Sequence, residues 1–310
     1  MSSQTSNLSD VFEKKEKDMF LRDNAVRFIG DPVLAVAAED EETALKAVSM
    51  IEVSYEPLPS ILDPNDALDR KDVKIHEKGN TAFHVTKHFG NIERGFREAD
   101  YVVENRFVTS KQKHASLEPI GTCIAEFDAA GKLTVHTSTQ LPNWSQIYLA
   151  RALGLPNTKV RIIKPYTGGA FGGRCGLIHG LEVMCSFLAR KAGKPVRMSF
   201  SRSEDFIGTE TRHPMTIDIK TGVTKEGILT ANSIKILANA GAYSTHTVGV
   251  LADCLSTGVG LYRCPNVFFD AAAVYTNQSL TGAFRGYGNP QLNFAQESQM
   301  DIIARDLGVD

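Results

Sequence analysis

The chain has 310 residues, of which 42% are hydrophobic and 23% are charged, and its formal net charge is −2. This length fits about two domains of common size, and 34 basic against 36 acidic residues leave no basic excess for nucleic acid or an anionic membrane surface. The apolar runs fall short of the roughly 18 residues that a spanning helix needs, and the polar N-terminus lacks the apolar core of a signal peptide.

Five cysteines, an odd number, are scattered along the chain. None lies in a Cys-x-x-Cys pair, which argues against a zinc ribbon or an iron–sulfur cluster within this chain. Free thiols suit a reducing compartment. The sequence therefore predicts a cytoplasmic protein that has no nucleic-acid or membrane partner.

The N-terminal part is predicted to be a small α/β piece behind a polar tail over residues 1–24. Residues 26–38, VRFIGDPVLAVAA, indicate a strand, a turn at Gly-Asp-Pro and a second strand. The acidic run Glu39–Glu42 marks a helix start, because the helix dipole favours negative charge there, and residues 53–59 return to a strand. This piece, bounded at 25–68, is too small to be stable alone, so we expect it to pack on another part of the protein.

A polar connector over residues 63–90 leads to a larger domain of mixed helices and strands, bounded at 90–310. Alternating apolar residues predict its strands, and helical periodicity with Gly or Pro stops predicts its helices. The strands are expected at 101–110, in a hairpin over 123–139 that turns at Asp128–Gly131, at 160–165, at 195–201, in a hairpin of 214–222 and 228–240, and at 266–277. The helices are expected at Pro142–Leu153, at Leu177–Ala192 and after a cap at Asn289. The predicted fold class is therefore α+β.

Residues Tyr166–Gly176, YTGGAFGGRCG, hold five glycines between a predicted strand and a predicted helix. Such a loop often binds an anion, because glycines let backbone N–H groups converge beside the positive end of a helix. The glycine spacing does not fit the dinucleotide fingerprint, and a P-loop fails at Arg174 and Cys175, where a lysine and a hydroxyl are needed. An NTPase is therefore the weakest hypothesis, and a tight turn that packs a helix on a sheet is the alternative without a ligand.

A second glycine-rich loop, Gly282–Gln291, has the same character. It carries Arg285 and Tyr287 between three glycines. Arginine is a permanently charged, bidentate donor that suits oxyanions, although a surface ion pair would explain Arg285 taken alone. The two loops together predict a site for an anionic group.

TGGAFGGR and GAFRGYGNPQ, in that order, resemble the molybdenum-cofactor loops of the xanthine dehydrogenase and aldehyde oxidase family. Other stretches are similar to that family as well: VRFIGDPVLAVAAE, HASLEP, STQ, ETRHPM and MDIIARDLGVD. The similarity runs from about Val26 to the C-terminus. It implies a hammerhead-like α/β piece at 25–68 and a first molybdenum-cofactor-binding domain at 90–310.

The resemblance implies a molybdenum–molybdopterin cofactor, plain or as the cytosine dinucleotide, that is held by hydrogen bonds and not by protein ligands to the metal. The residues expected to bind it are Gln140, Gly169, Ala170, Phe171, Gly172 and Arg285. Tyr287 and Cys175 are expected to face a small-molecule substrate. Purine-oxidising members often carry an acidic residue where Cys175 stands, so we expect another aromatic compound, an N-heterocycle or an aldehyde.

The family's molybdenum subunit continues well past Asp310, so the chain is expected to be the N-terminal portion of such a subunit, or a fragment of one. The glutamate that acts as general base would then lie on a partner chain, and we predict no catalytic residue here. The expected partners are a C-terminal molybdenum-subunit chain, an iron–sulfur subunit and an FAD subunit. A non-catalytic binding or scaffold module without cofactor is the alternative hypothesis.

Overall fold

The computed structural model describes residues 25–175 and 180–309. The helices in these residues are α1 (Glu41–Ser49), α2 (Pro64–Asp69), α3 (Ile92–Arg97), α4 (Pro142–Ala152), α5 (Leu181–Ala192), α6 (Arg202–Gly208), α7 (Thr247–Gly260) and α8 (Asn289–Leu307), with a 3-10 turn at Asn157–Lys159. The strands are β1 (Thr81–Phe89), β2 (Tyr101–Thr109), β3 (Thr122–Phe127), β4 (Leu133–Thr137), β5 (Val160–Ile163), β6 (Val196–Ser199), β7 (Met215–Val223), β8 (Leu229–Gly241) and β9 (Val267–Tyr275). No helix among the described residues is both long and apolar enough to cross a bilayer.

The described residues divide into two compact units, the four-stranded unit and the five-stranded unit. The four-stranded unit takes its residues from 1–59 and 114–210. The five-stranded unit takes its residues from 60–113 and 211–310. The sequence-based bounds at 68 and 90 stay a prediction.

The four-stranded unit is a sheet in the order β5-β4-β3-β6 with α5 packed on β3. β4 and β5 are parallel, and the other neighbours are antiparallel. Its core buries Leu133, Val135, Leu149, Leu181 and Cys185. Because β4 and β5 are parallel neighbours, the segments that follow them leave the sheet at the same edge.

The five-stranded unit is a sheet in the order β1-β9-β8-β7-β2, with α7 and α8 packed on each other and on the sheet. β8 and β9 are parallel, and the other pairs are antiparallel. Apolar side chains of the sheet and the two helices form one core, which includes Ile217, Ile234, Phe269, Leu251 and Leu292. The segments after β2, β8 and β9 and before β7 therefore meet at one edge.

Most of the predicted elements of the larger domain are confirmed, and so is the α+β fold class. The hairpin over 123–139 is β3 and β4, and the Asp128 carboxylate accepts the backbone N–H groups of Ala130 and Lys132 at its turn. The hairpin of 214–222 and 228–240 is β7 and β8. The other predicted strands correspond to β2, β5, β6 and β9.

Predictions for the N-terminal piece are only partly correct. The predicted helix is confirmed as α1, and the Asp40 side chain caps it by accepting the N–H of Thr43 at 2.7 Å. The strands predicted at 26–38 and 53–59 are wrong, since neither segment joins a sheet. An apolar run predicts burial, but a strand also needs a hydrogen-bonded neighbour. The polar tail over 1–24 lies outside the described residues.

Three further predictions need correction. The connector over 63–90 contains α2 and the edge strand β1. The last helix is capped by Gly288 and not by Asn289, whose side chain instead accepts the Thr257 hydroxyl. Within the described residues α5 begins at Leu181, and the predicted start at Leu177 lies outside them.

Candidate functional site

Gln140 and the first glycine loop are joined by three hydrogen bonds. The backbone N–H of Gln140 donates to the Arg174 carbonyl at 2.7 Å. Its side-chain Oε1 accepts the backbone N–H of Gly172 at 3.1 Å and that of Arg174 at 3.4 Å. The contact follows from topology, because Gln140 follows β4 and the glycine loop follows β5, its parallel neighbour.

The first glycine loop has an unusual backbone. Gly169 and Gly172 have φ of +97° and +105°, and Phe171 between them has φ of +52°. A left-handed conformation is strained for a residue with a side chain, and such strain is found most often at functional sites. Phe171 is also half exposed, at 49%. A turn that only packs a helix on a sheet does not require an exposed aromatic in this conformation.

The loop leaves several donors open. Within the described residues, the backbone N–H groups of Gly169, Ala170 and Phe171 donate to no protein acceptor, and neither does the side-chain amide nitrogen of Gln140. A Cβ on Gly168 would overlap the Glu118 carboxylate, so a side chain at position 168 would require the exposed Glu118 side chain to move. Several donors without protein acceptors in one glycine-rich loop fit an oxygen-rich anionic group.

The Arg174 side chain holds the first glycine loop to neighbouring segments by hydrogen bonds. Its side chain is 2% exposed and donates to the Ser138 hydroxyl and, at 3.1 Å, to the Pro119 carbonyl. Burial lowers the pKa of Arg174 from its ordinary value, although the charges of Glu118 and Asp205 oppose the shift. Both terminal nitrogens donate to protein acceptors, while the buried Nε has no partner among the described residues, and this arrangement speaks against a role like that of the P-loop lysine.

Cys175 ends the described part of the loop. Burial, followed by the negative charge of Glu210, raises the pKa of the Cys175 thiol to about 11. The side chain is therefore a neutral thiol at pH 7. It suits an uncharged wall of a binding site better than a nucleophile.

In the second glycine loop, Tyr287 is held by contacts with His246, whereas Arg285 is exposed. The Tyr287 hydroxyl lies 2.8 Å from Nδ1 of His246, and the two rings meet edge to face at 5.8 Å. Tyr287 has φ of +49°, and a Cβ on Gly249 would stand 2.6 Å from the Tyr287 hydroxyl. Arg285 is exposed, and its side chain makes no ion pair with an acid among the described residues.

The sequence motifs assign no role to Arg212. It is 8% exposed, its guanidinium lies 3.9 Å from the Phe284 ring centroid, and it donates to Gln112, Gln291 and the Arg285 carbonyl. The motif ETRHPM drew attention to this segment, but nothing in the letters shows that the arginine is buried. His246 was missed as well, and no local signal singles it out.

His213 precedes β7, at the same edge of the five-stranded sheet as Arg212, and it is fully buried. Its Nε2 is 3.0 Å from the Thr247 hydroxyl. Burial, followed by the charges of His246, Lys111 and Arg212, lowers the pKa of His213 to about 3. The imidazole is therefore neutral across the physiological range and serves as a hydrogen-bonding core residue.

The structure brings together Gln140, Gly169, Ala170, Phe171, Gly172 and Cys175 in the four-stranded unit, while Arg285 and Tyr287 belong to the five-stranded unit. Their expected roles toward a cofactor and a substrate stay predictions. No group of three or more His, Cys, Asp or Glu side chains in the described part of the chain could hold a metal ion.

Known proteins are similar to this chain in sequence and in architecture. The pattern of the family "Molybdopterin cofactor-binding domain" matches residues 75–310, and that of "Aldehyde oxidase and xanthine dehydrogenase, a/b hammerhead domain" matches residues 2–59. The nicotinate dehydrogenase large molybdopterin subunit of Eubacterium barkeri is 38% identical over 292 residues, which cover 94% of this chain and 68% of that protein.

Two further similarities extend over most of the chain. The putative xanthine dehydrogenase molybdenum-binding subunit of Escherichia coli strain K12 is 36% identical over 303 residues, which cover 97% of this chain and 40% of that subunit. The solved aldehyde oxidoreductase from Desulfovibrio gigas superposes with a TM-score of 0.82 at 28% identity, over 88% of this chain and 30% of that one. The chain thus spans less than half the length of both proteins.

Proposed function

The chain belongs to the xanthine dehydrogenase and aldehyde oxidase family of molybdenum-binding subunits, and we propose that it forms one wall of the molybdopterin site of a cytoplasmic molybdenum hydroxylase. The substrate would be an aromatic compound, an N-heterocycle or an aldehyde. The complete enzyme would also need a chain that supplies the rest of the molybdenum subunit, together with iron–sulfur and FAD subunits.

The observation that carries this proposal is the set of open donors on the first glycine loop. The N–H groups of Gly169, Ala170 and Phe171 and the amide nitrogen of Gln140 are all without protein acceptors in the described residues. Fixed donors of this kind stabilise anionic oxygens most strongly where water is excluded. A pterin cofactor with oxygen atoms on its metal suits such a set, either in its plain form or as the cytosine dinucleotide.

The residues of this chain would bind and orient. When bound, the molybdenum centre supplies the oxygen-transfer and two-electron redox chemistry of the hydroxylation. Gln140 and the loop N–H groups would hold its oxygens, and Arg285 would add a permanent positive charge. Tyr287 would lay its ring against the substrate, and the uncharged Cys175 thiol would also face the substrate. We assign no general base to this chain, and a glutamate of the partner chain would fill that role.

Metal and pterin analysis tests the proposal. The chain is purified after expression alone and after co-expression with a chain that supplies the rest of the molybdenum subunit, and each sample is assayed for molybdenum and for released pterin fluorescence. We expect both to appear with the partner. Their absence under both conditions would contradict the proposal and favour a scaffold module without cofactor.

A further inference from the structure

Arg212 connects the segment after β2 to two points of the second glycine loop, at one edge of the five-stranded sheet. Its Nε donates to Oε1 of Gln112 at 3.1 Å, and one terminal nitrogen donates to Oε1 of Gln291 at 3.1 Å. The other terminal nitrogen donates to the backbone carbonyl of Arg285 at 2.9 Å. Gln112 follows β2, and Gln291 lies in the first turn of α8. One side chain thus joins both of these elements to the second glycine loop.

The guanidinium also covers the residue before Arg285. Its central carbon lies 3.9 Å from the centroid of the Phe284 ring, within the range of a cation–π contact. The loop is therefore held on both sides of the Phe284–Arg285 peptide. A lysine could not make these contacts together, because its ammonium is a single point and lacks the planar fork.

None of the acceptors that Arg212 reaches is charged. All three are neutral amide or peptide oxygens, and the side chain is 8% exposed. A buried cation without a carboxylate costs stability unless its hydrogen bonds are well made. A methionine of similar length would fill the space at lower cost. Packing alone is therefore a poor explanation for an arginine here.

The second glycine loop, whose backbone Arg212 contacts, has an unusual conformation. Gly286, Tyr287 and Gly288 have φ of +88°, +49° and +97° in succession, and Tyr287, which carries a side chain, is strained in this conformation and depends on its surroundings. The Arg285 side chain is exposed and makes no ion pair in the described part of the chain, so the backbone sets the point from which this side chain extends. The same backbone sets where the Tyr287 ring lies.

We infer that Arg212 is a positioning residue for the second glycine loop, and that it fixes Arg285 and Tyr287 for the molybdopterin site. The inference rests on the proposed function for its purpose. Its structural part, the fixing of the loop, can be tested without cofactor.

Hydrogen exchange tests the structural part. The Tyr287 N–H donates to Phe284 O at 2.7 Å, and the Asn289 N–H donates to Gly286 O at 3.0 Å, so both amides report on the loop. In Arg212→Lys we expect them to exchange at least about fivefold faster, because the fork is lost while the charge remains. The matched control is Arg106→Lys, which breaks the exposed bidentate pair with Asp218 in the same unit and should leave both rates unchanged. Unchanged rates in Arg212→Lys would overturn the inference.

A double variant tests the purpose. In the assembled complex, Arg212→Lys should lower the molybdenum content, and Arg285→Ala should lower it as well. If Arg212 acts through Arg285, the double variant retains as much molybdenum as Arg285→Ala alone. If the double variant instead loses molybdenum by the product of the two single-variant losses, the positioning role is overturned. A wild-type complex without molybdenum would contradict the proposed function instead, while the exchange rates would still decide whether Arg212 fixes the loop.

Discussion

The side-chain oxygen of Gln140 accepts the backbone N–H of Gly172 at 3.1 Å. This bond orients the carboxamide, because an oxygen that faces the loop backbone leaves the amide nitrogen of Gln140 on the other side. One residue thus supports the first glycine loop and adds a donor to it. Variants of Gln140 and of the loop glycines can separate these two roles from each other and from simple packing.

The first prediction concerns Gln140→Glu. A carboxylate can still accept the N–H groups of Gly172 and Arg174, but it has no amide nitrogen to donate, and it adds a negative charge beside an anionic group. We expect the free energy of unfolding to change by less than about 1 kcal/mol, while pterin retained by the assembled complex falls at least about tenfold. Urea unfolding and pterin fluorescence measure the two effects. Full pterin retention by the variant would remove Gln140 from the site.

The second prediction compares two glycines that have similar backbones. Gly172 has φ of +105° in the loop, and Gly79 has φ of +100° in a turn where an added Cβ meets nothing within 4 Å. Alanine at either position should cost about 1–2 kcal/mol of stability, since both backbones are strained for a side chain. We expect only Gly172→Ala to lose molybdenum, as measured by metal analysis. Equal metal content in both variants would support the tight-turn interpretation of the loop.

The third prediction is a pH dependence from His213. Burial lowers its pKa to about 3 in the folded chain, against an ordinary value of 6.5. Between these values the unfolded chain binds a proton that the folded chain does not, so stability falls as the pH is lowered through this window, by up to about 1.4 kcal/mol per pH unit. His213→Gln cannot titrate, so the difference in unfolding free energy between wild type and variant should shrink as the pH falls from 6.5. A difference that is constant from pH 7 to pH 4 would show that His213 is not buried as described.

The fourth prediction tests the position of the Tyr287 ring. In the interior of an exposed helix, Gly→Ala gains about 1 kcal/mol, but a Cβ on Gly249 would meet the Tyr287 hydroxyl at 2.6 Å. We expect Gly249→Ala to lower stability by about 1–3 kcal/mol in the wild type and to raise it in a Tyr287→Ala background. Gly260 lies at the end of the same helix, where an added Cβ would meet nothing within 4 Å. Gly260→Ala should therefore change the free energy of unfolding by the same amount in both backgrounds. The same loss in both backgrounds would place the ring elsewhere.

The sequence predicted the elements whose patterns are local. The β3–β4 hairpin is an example, because alternating apolar residues flank a turn at Asp128–Gly131 and the pairing needs nothing from elsewhere in the chain. α7 was missed, since its three glycines argue against a helix. The structure explains two of them. A Cβ on Gly249 would meet Tyr287, and one on Gly258 would meet the Phe269 ring at 3.0 Å.

The residues of the candidate site also differ in whether a local sequence pattern reveals them. Gln140 and the first glycine loop were found from the motifs, and their contact follows from the parallel pairing of β4 with β5. Arg212 could not be found, because its role depends on burial and on partners at positions 112, 285 and 291, which are distant in sequence. Edge strand β1 was taken for a polar connector, since most of its side chains face solvent and only pairing with β9 reveals it.

The most direct test of the central claim is an experimental structure of the assembled complex with its cofactor. We predict that oxygen or nitrogen atoms of the molybdopterin group lie within about 3.2 Å of the Gln140 amide nitrogen and of at least one backbone nitrogen among Gly169, Ala170 and Phe171. A cofactor bound elsewhere, with those four donors facing only water or protein, would contradict the account.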